Sequence, residues 1–251
     1  MNGSAVRTAN GVARTWRLRP WPNDPTVTHL IFIDHLNLPS VTDLQQALET
    51  SRSRGALAVR TSAMFPGAAD IALAAGFEPI DHLALLRLDL HHTPRVRSDG
   101  HRRTRALRSW HHGRAAVVDQ DAFGAVWGND SRSIADIRDA TPAHRARWAC
   151  VTGEFAGFAI SGAAGDNGYL QRLAVAPNHR RHGIARDLAL DALDWMRHQR
   201  LTAALVNTGV ENGAALSLYL SLGFTQLNEQ LTIAEHRFMN APDTVASDTV
   251  K

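Results

Sequence analysis

The chain has 251 residues, of which 44% are hydrophobic, and its formal net charge is +3. It has one cysteine, Cys150, which excludes an intrachain disulfide, and no stretch approaches the roughly 18 consecutive apolar residues of a membrane helix. These features exclude a disulfide-rich scaffold and a helical membrane protein, and they predict a cytoplasmic protein of two domains, since domains commonly hold about 100 to 150 residues.

An arginine-rich segment, residues 95–114, contains seven arginines and the chain breaker Gly100. Such a segment is typical either of a solvated linker or of a patch that binds phosphate or nucleic acid. We favour a linker that leads into a strand near residues 105–110. It divides the chain into a first domain (residues 1–95), a second domain (residues 96–240) and a flexible tail (residues 241–251).

Periodic apolar patterns predict the elements that follow the linker. The predicted helices cover residues 114–127, a second stretch to residue 138, and residues 183–200 and 213–222. The predicted strands cover residues 147–151, 155–161, 169–175, 203–207 and 225–238. Because strands and helices alternate irregularly, we predict an α/β domain with a mixed, α+β-like sheet.

The most informative unit is a strand, a turn and a helix. The strand Leu173-Ala174-Val175 leads through residues 176–179 to Arg180, and Gly183 and Ala185 open the long helix. A helix N-terminus exposes unpaired N–H groups and the positive end of the helix dipole, and a glycine there lets the backbone approach an anion closely. This pattern predicts a diphosphate site, which several nucleotide-binding families would satisfy.

The same residues resemble a more specific signature. Leu-x-Val-x-Pro followed by Arg-x-x-Gly-x-Ala is similar to the acetyl-CoA motif of the GNAT superfamily of N-acyltransferases. Downstream, Asn212, Ala215, Leu218-Tyr219 and Leu222-Gly223-Phe224 resemble its second cofactor motif. The resemblance implies a GNAT fold in the C-terminal half, with acetyl-CoA as cosubstrate and an amine of a small molecule or a protein N-terminus as acceptor.

The resemblance also implies roles for individual residues. Tyr219 would be the general acid that protonates the departing thiolate, with a packing tyrosine as the alternative. The implied cofactor-binding residues are Leu173, Ala174 and Val175 for the pantetheine, Arg180, Arg181, His182, Gly183, Ile184, Ala185 and Arg186 for the pyrophosphate, and Asn207 and Asn212. The histidines are not at metal-ligand spacing, so no metal site is predicted.

One position departs from the pattern. This segment resembles the ribosomal-protein alanine acetyltransferases, in which a glutamate five residues before the motif asparagine serves as the general base. This chain has Asn207 at that position. A neutral amide cannot deprotonate an ammonium group, so the base is left open among Glu211, a water held by Asn207 and His144. The main alternative to an enzyme is therefore a catalytically weak protein that binds or senses acetyl-CoA.

The N-terminal half carries an internal similarity at a shift of 147 residues. Residues 57–61 align with residues 204–208, and residues 74–77 align with residues 221–224. Ala72 replaces Tyr219, and the segment equivalent to the pyrophosphate loop is five residues shorter, with no glycine in residues 35–40. The arrangement resembles the tandem GNAT proteins related to mycothiol synthase and predicts a degenerate first copy.

Overall fold

The computed structural model describes residues 15–33, 37–94 and 104–239. The chain forms two compact units. Unit 1 consists of residues 1–81 and 232–251, and unit 2 consists of residues 82–231. Residues 95–103 of the arginine-rich linker, which include the predicted boundary at residue 95, and the predicted tail lie outside the described residues.

The elements alternate irregularly between strands and helices, as the sequence predicts. The strands are β1 (Trp16–Trp21), β2 (Asp24–Phe32), β3 (Ala58–Thr61), β4 (Glu78–Asp89), β5 (Arg105–Ala106), β6 (Ala143–Val151), β7 (Glu154–Ala164), β8 (Asn167–Val175), β9 (Ala203–Gly209) and β10 (Thr225–Arg237). The helices are α1 (Val41–Ser53), α2 (Pro66–Ala74), α3 (His112–Trp127), α4 (Ser131–Arg138), α5 (Ile184–His198) and α6 (Gly213–Ser221). The mixed α/β class is confirmed. No described helix is both long and apolar enough to cross a membrane.

Unit 1 is a small mixed sheet covered by α1 and α2. Strands β1 and β2 are antiparallel, β2 and β3 are parallel, and the last residues of β10 pair antiparallel with β3. Helix α1 is capped by Ser40, whose hydroxyl accepts from the Asp43 N–H, while the Asp43 carboxylate accepts from the Ser40 N–H. Its buried side chains, such as Leu44, pack with Leu30 and Val59 of the sheet.

A buried ion pair joins β3 to β10 in this unit. Arg60 donates to the Glu235 carboxylate at 2.7 Å, and the side chains are only 10% and 2% exposed. The guanidinium also lies over the ring of Trp21, 4.5 Å from its centroid. The Glu235 carboxylate also accepts from the exposed Arg237 at 2.7 Å, so it compensates two guanidinium groups, of which only that of Arg60 is buried.

Glu235→Gln should lower the free energy of unfolding by about 3 kcal/mol, because it leaves the Arg60 charge buried without its carboxylate. Differential scanning calorimetry would register this as a lower melting temperature. Glu229→Gln, at an exposed position of the same strand, is the matched control and should change little. Equal melting temperatures for the two variants would contradict the prediction.

Unit 2 is a longer sheet with helices on both faces. Its strand order is β4-β9-β8-β7-β6-β5, antiparallel except for the parallel pair β8 and β9. Neighbouring residues of β7 point to opposite faces. Ala159 packs in the core that includes α5 and α6, whereas Phe158 and Ile160 pack in the core that includes α3 and α4. We call these the α5 face and the α3 face.

The start of unit 2 differs from the sequence prediction. The strand expected near residues 105–110 is only the two residues of β5, and a 3-10 turn, Ser109–His111, follows it. The Leu107 N–H still reaches the Ala146 carbonyl at 3.0 Å, and the chain then turns directly into α3. Helix formation at His112 thus ends a strand that the sequence predicts to be longer.

Candidate active site

The parallel strands β8 and β9 separate in the middle of the unit 2 sheet. Bridges join them only from Asn167↔Ala203 to Tyr169↔Leu205. Beyond that point β8 stays paired with β7 as far as Val175, and β9 stays paired with β4 as far as Gly209. Two strand edges therefore face each other across an opening with backbone N–H and C=O groups available to an inserted molecule. We call this opening the split.

A β-bulge in β8 lies just past the last bridge. Arg172 pairs with Ile160 and Leu170 pairs with Ser161, which leaves Gln171 as an extra residue. A bulge bends the strand and increases its twist, which accounts for the divergence of β8 from β9. Within the described chain, the buried Oε1 of Gln171 has no hydrogen-bond partner.

The end of β8 leads into a helix N-terminus that no side chain caps. Gly183 precedes α5 with a φ of +78° and makes no capping hydrogen bond, and the first intrahelical bond runs from the Asp187 N–H to its carbonyl. Arg181 also has a positive φ, +62°, which is uncommon for a side chain of this size. Arg180, Arg181, His182 and Gly183 are exposed. In the described structure, the N–H groups of Ile184, Ala185 and Arg186 remain available to an anion.

Tyr219 lies on α6 and is 5% exposed. It packs in the core of the α5 face, and its ring centroid is 5.6 Å from that of Phe224. Burial raises the pKa of the Tyr219 hydroxyl to about 12. The packing expected of a core tyrosine is therefore present, and the phenol is protonated throughout the physiological pH range.

The remaining predicted site residues lie along the two strands and at the start of α6. Leu173 and Val175 pack against the core of the α5 face, and Ala174 is buried on the α3 face. Asn207 is exposed on the part of β9 that borders the split. Asn212 caps α6, since its side-chain oxygen accepts from the Ala215 N–H at 3.1 Å. That oxygen already has a structural partner, whereas Asn207 is exposed on the stretch of β9 beside the opening.

The strand register separates the candidate bases. His144 pairs with Gly162 of β7, which pairs with Tyr169 of β8. It thus lies two strands from β8, about 10 Å at the usual strand spacing, and level with the closed end of the split. Asn207 and Glu211 lie on β9 and in the turn after it, and both are exposed.

Sequence reasoning missed one pair of residues beside the split. Asp119 of α3 is fully buried, and Arg172 of β8 donates to both of its carboxylate oxygens at 2.7 Å. The signal in the sequence was a charged residue inside an otherwise apolar strand. The described residues hold no group of three or more His, Cys, Asp or Glu side chains that could bind a metal.

Comparison with known proteins agrees with this geometry. Residues 101–224 match the model of the acetyltransferase (GNAT) family. The chain is 42% identical over 60 residues to N-alpha-acetyltransferase 30 of Saccharomyces cerevisiae (24% of this chain and 34% of the relative), and 32% identical over 74 residues to the [ribosomal protein bS18]-alanine N-acetyltransferase of Escherichia coli (30% and 50%). The chain thus spans a third to a half of the length of these relatives.

Two solved structures share the fold over most of the chain. A tandem GNAT protein from the clavulanic acid biosynthesis pathway superposes with a TM-score of 0.64 at 16% identity, covering 90% of this chain and 79% of that one. A GCN5-related N-acetyltransferase from Sphaerobacter thermophilus gives a TM-score of 0.61 at 14% identity, with 92% and 79% covered. These two structures show that the fold is shared, and the family match covers residues 101–224, just under half of the chain.

Proposed function

We propose that this chain is an acetyl-CoA-dependent N-acetyltransferase whose acceptor is an amine of a small molecule or a protein N-terminus. The observation that carries the proposal is the split between β8 and β9, which leads directly to the uncapped N-terminus of α5. An extended ligand with amides at one end and a diphosphate at the other matches both features. Acetyl-CoA has that chemistry.

The residues present fit this ligand. In the proposed complex the backbone of Leu173, Ala174 and Val175 completes strand-like hydrogen bonds with the pantetheine amides. The N–H groups from Arg181 to Arg186 bind the diphosphate, and Arg180 adds charge at the entrance. A Cβ atom at Gly183 would meet nothing within 4 Å, so the surface in front of this helix end is open.

In the proposed reaction the amine nitrogen forms a bond to the acetyl carbonyl carbon, the carbon–sulfur bond breaks, and the thiolate of coenzyme A accepts a proton. Tyr219 supplies that proton or a strong hydrogen bond to the sulfur. The proton lost by the amine goes to Glu211 or to a water held by Asn207. Both groups border the same end of β9, and His144 is the less favoured base because of its register.

Unit 1 is proposed as a degenerate second copy of the same fold. Pairing of β8 and β9 in unit 2 ends at Leu205, which aligns with Ala58 of β3. In unit 1 the strands β2 and β3 stay bridged three residues further, as far as Leu30↔Thr61. Its helix α1 is capped by Ser40 and Asp43, so a carboxylate already occupies the position that a diphosphate would need. These features support a unit without a cofactor slot, and the tandem GNAT neighbour supports the two-copy arrangement.

We therefore expect one coenzyme A to bind per chain, because among the described residues the C-terminal copy alone combines a split with an uncapped helix that follows it. Isothermal titration calorimetry of the whole protein with acetyl-CoA measures the stoichiometry directly. A value near two would overturn both the degenerate-copy proposal and the importance of the split.

A second candidate function is a catalytically weak protein that senses acetyl-CoA. The observation that favours it is Asn207. This neutral residue stands where the alanine acetyltransferases that this segment resembles have the glutamate that serves as general base. Binding without turnover across a panel of amines and peptides with free N-termini would support the sensor. Release of free thiol that depends on the amine would support the enzyme.

A further inference from the structure

We infer that the Asp119–Arg172 ion pair is a positioning device that holds the loop between α3 and α4 beside the split and thereby controls how the acceptor amine is presented. This inference rests on the proposed function, because it assigns a wall of the acceptor site in that reaction.

The pair is the centre of a compact network. Arg172 donates through Nε and Nη2 to the two carboxylate oxygens of Asp119, and Nη2 also reaches the Trp127 carbonyl at 2.8 Å. The same carboxylate accepts from the backbone N–H and the side-chain amide of Asn129 at 2.7 and 3.0 Å. The guanidinium carbon lies 3.6 Å from the ring centroid of Phe123. One ion pair thus fixes both Trp127 and Asn129 to β8.

The segment held in this way is a short connection that follows an interrupted helix. Helix α3 is interrupted at Gly124, with φ 77° and ψ 177°, and it ends at Trp127. Helix α4 does not begin until Ser131. Within this connection the Gly128 N–H bonds to the Gly124 carbonyl at 2.8 Å, and the bidentate Arg–carboxylate pair adds the fixed geometry that ties the connection to β8.

The position of Arg172 relates the network to the reaction. It lies between the bulge residue Gln171 and the backbone of residues 173–175, where β8 borders the split. Tyr219 and the start of α5 belong to the α5 face, whereas Asp119 and α4 cover the α3 face. In the proposed complex the thioester lies beside Tyr219 of the α5 face, and we place the approach of the amine on the opposite, α3 face. The loop fixed by Arg172 borders that approach.

The burial of the pair distinguishes this role from surface charge. The Asp119 carboxylate is fully enclosed and the Arg172 side chain is 19% exposed. Its charges are satisfied within the network, so the pair offers no free carboxylate as a base and acts only through the groups that it positions.

The test is Arg172→Lys, which keeps the charge but loses the two-point fork and the bond to Trp127. We expect faster hydrogen–deuterium exchange in residues 127–130, an acetyl-CoA Kd within about twofold of wild type, and kcat/KM for a peptide with a free N-terminal alanine lowered about 10- to 100-fold. Arg145→Lys is the control for the chemical change, because Arg145 forms an Arg–carboxylate pair with Asp191 of α5 at 2.5 Å that is more exposed and does not contact residues 127–130. It should leave both the exchange and the acceptor kinetics unchanged.

Each outcome decides something different. Three results for Arg172→Lys would overturn the inference: unchanged exchange in residues 127–130, unchanged acceptor kinetics, or a loss of acetyl-CoA affinity as large as the loss of kcat/KM. A wild type that binds no acetyl-CoA would instead overturn the proposed function, and the exchange data would still decide whether the pair holds the loop. If Arg172→Lys does not fold, the neutral pair Asp119→Asn with Arg172→Gln avoids a buried unpaired charge and is tested by the same measurements.

Discussion

Gly183→Glu should weaken acetyl-CoA binding by more than about 100-fold, through two separate effects. A non-glycine residue disfavours a φ of +78° by about 1 to 2 kcal/mol, so the exposed turn of the free variant relaxes from this conformation and must regain it when the diphosphate binds. The added carboxylate would also occupy the positive end of α5, where it competes with the diphosphate and repels it. Because a Cβ atom at this position meets nothing within 4 Å, the side chain itself should not disturb the fold. Calorimetric titration with acetyl-CoA measures the loss.

Gly183→Ala separates the two effects. It carries the same backbone cost but no charge, so its Kd should rise only about tenfold. An unchanged melting temperature in both variants would show that the loss belongs to the site and not to the fold. If Gly183→Glu binds acetyl-CoA as well as wild type does, the helix N-terminus is not the diphosphate site.

The sequence predicts most elements of unit 2 because their signals are local. The apolar spacing of residues 183–200 gives α5 to within two residues at each end, and the turn at Thr152-Gly153-Glu154 gives the β6–β7 hairpin. The helix N-terminus at Gly183 is equally local, since glycine is favoured where φ is positive. Local patterns are sufficient for these features because each depends on residues close together in the chain.

The split and the network beside it could not be predicted in this way. The split depends on the register between β8 and β9, which are separated in the chain by α5. It also depends on a bulge that places one extra residue of β8 opposite β7. Asp119 and Arg172 are 53 residues apart and meet only because α3 packs on β8. A local pattern in one sequence does not reveal which distant residues pair in this way.

The environment of Tyr219 bears directly on its proposed role. Burial disfavours the phenolate, which is why the pKa of the hydroxyl rises to about 12. An exposed thiol has a pKa of about 8.5, but the same lack of water that affects Tyr219 also raises the pKa of a thiolate formed beside it. Because desolvation raises both pKa values, burial of the phenol does not by itself remove its ability to donate, and a hydrogen bond from the phenol stabilises the departing sulfur as its charge develops.

Tyr219→Phe should therefore lower kcat about 10²- to 10⁴-fold while the acetyl-CoA Kd and the melting temperature change little. The ring that packs with Phe224 is retained, and only a contact made mainly in the transition state is lost. Steady-state kinetics with an acceptor that the wild type acetylates, together with calorimetric titration, measure both quantities. Tyr219→Leu removes the ring as well and should additionally lower the melting temperature. If Tyr219→Phe keeps the wild-type kcat, Tyr219 is a packing residue and another group protonates the sulfur.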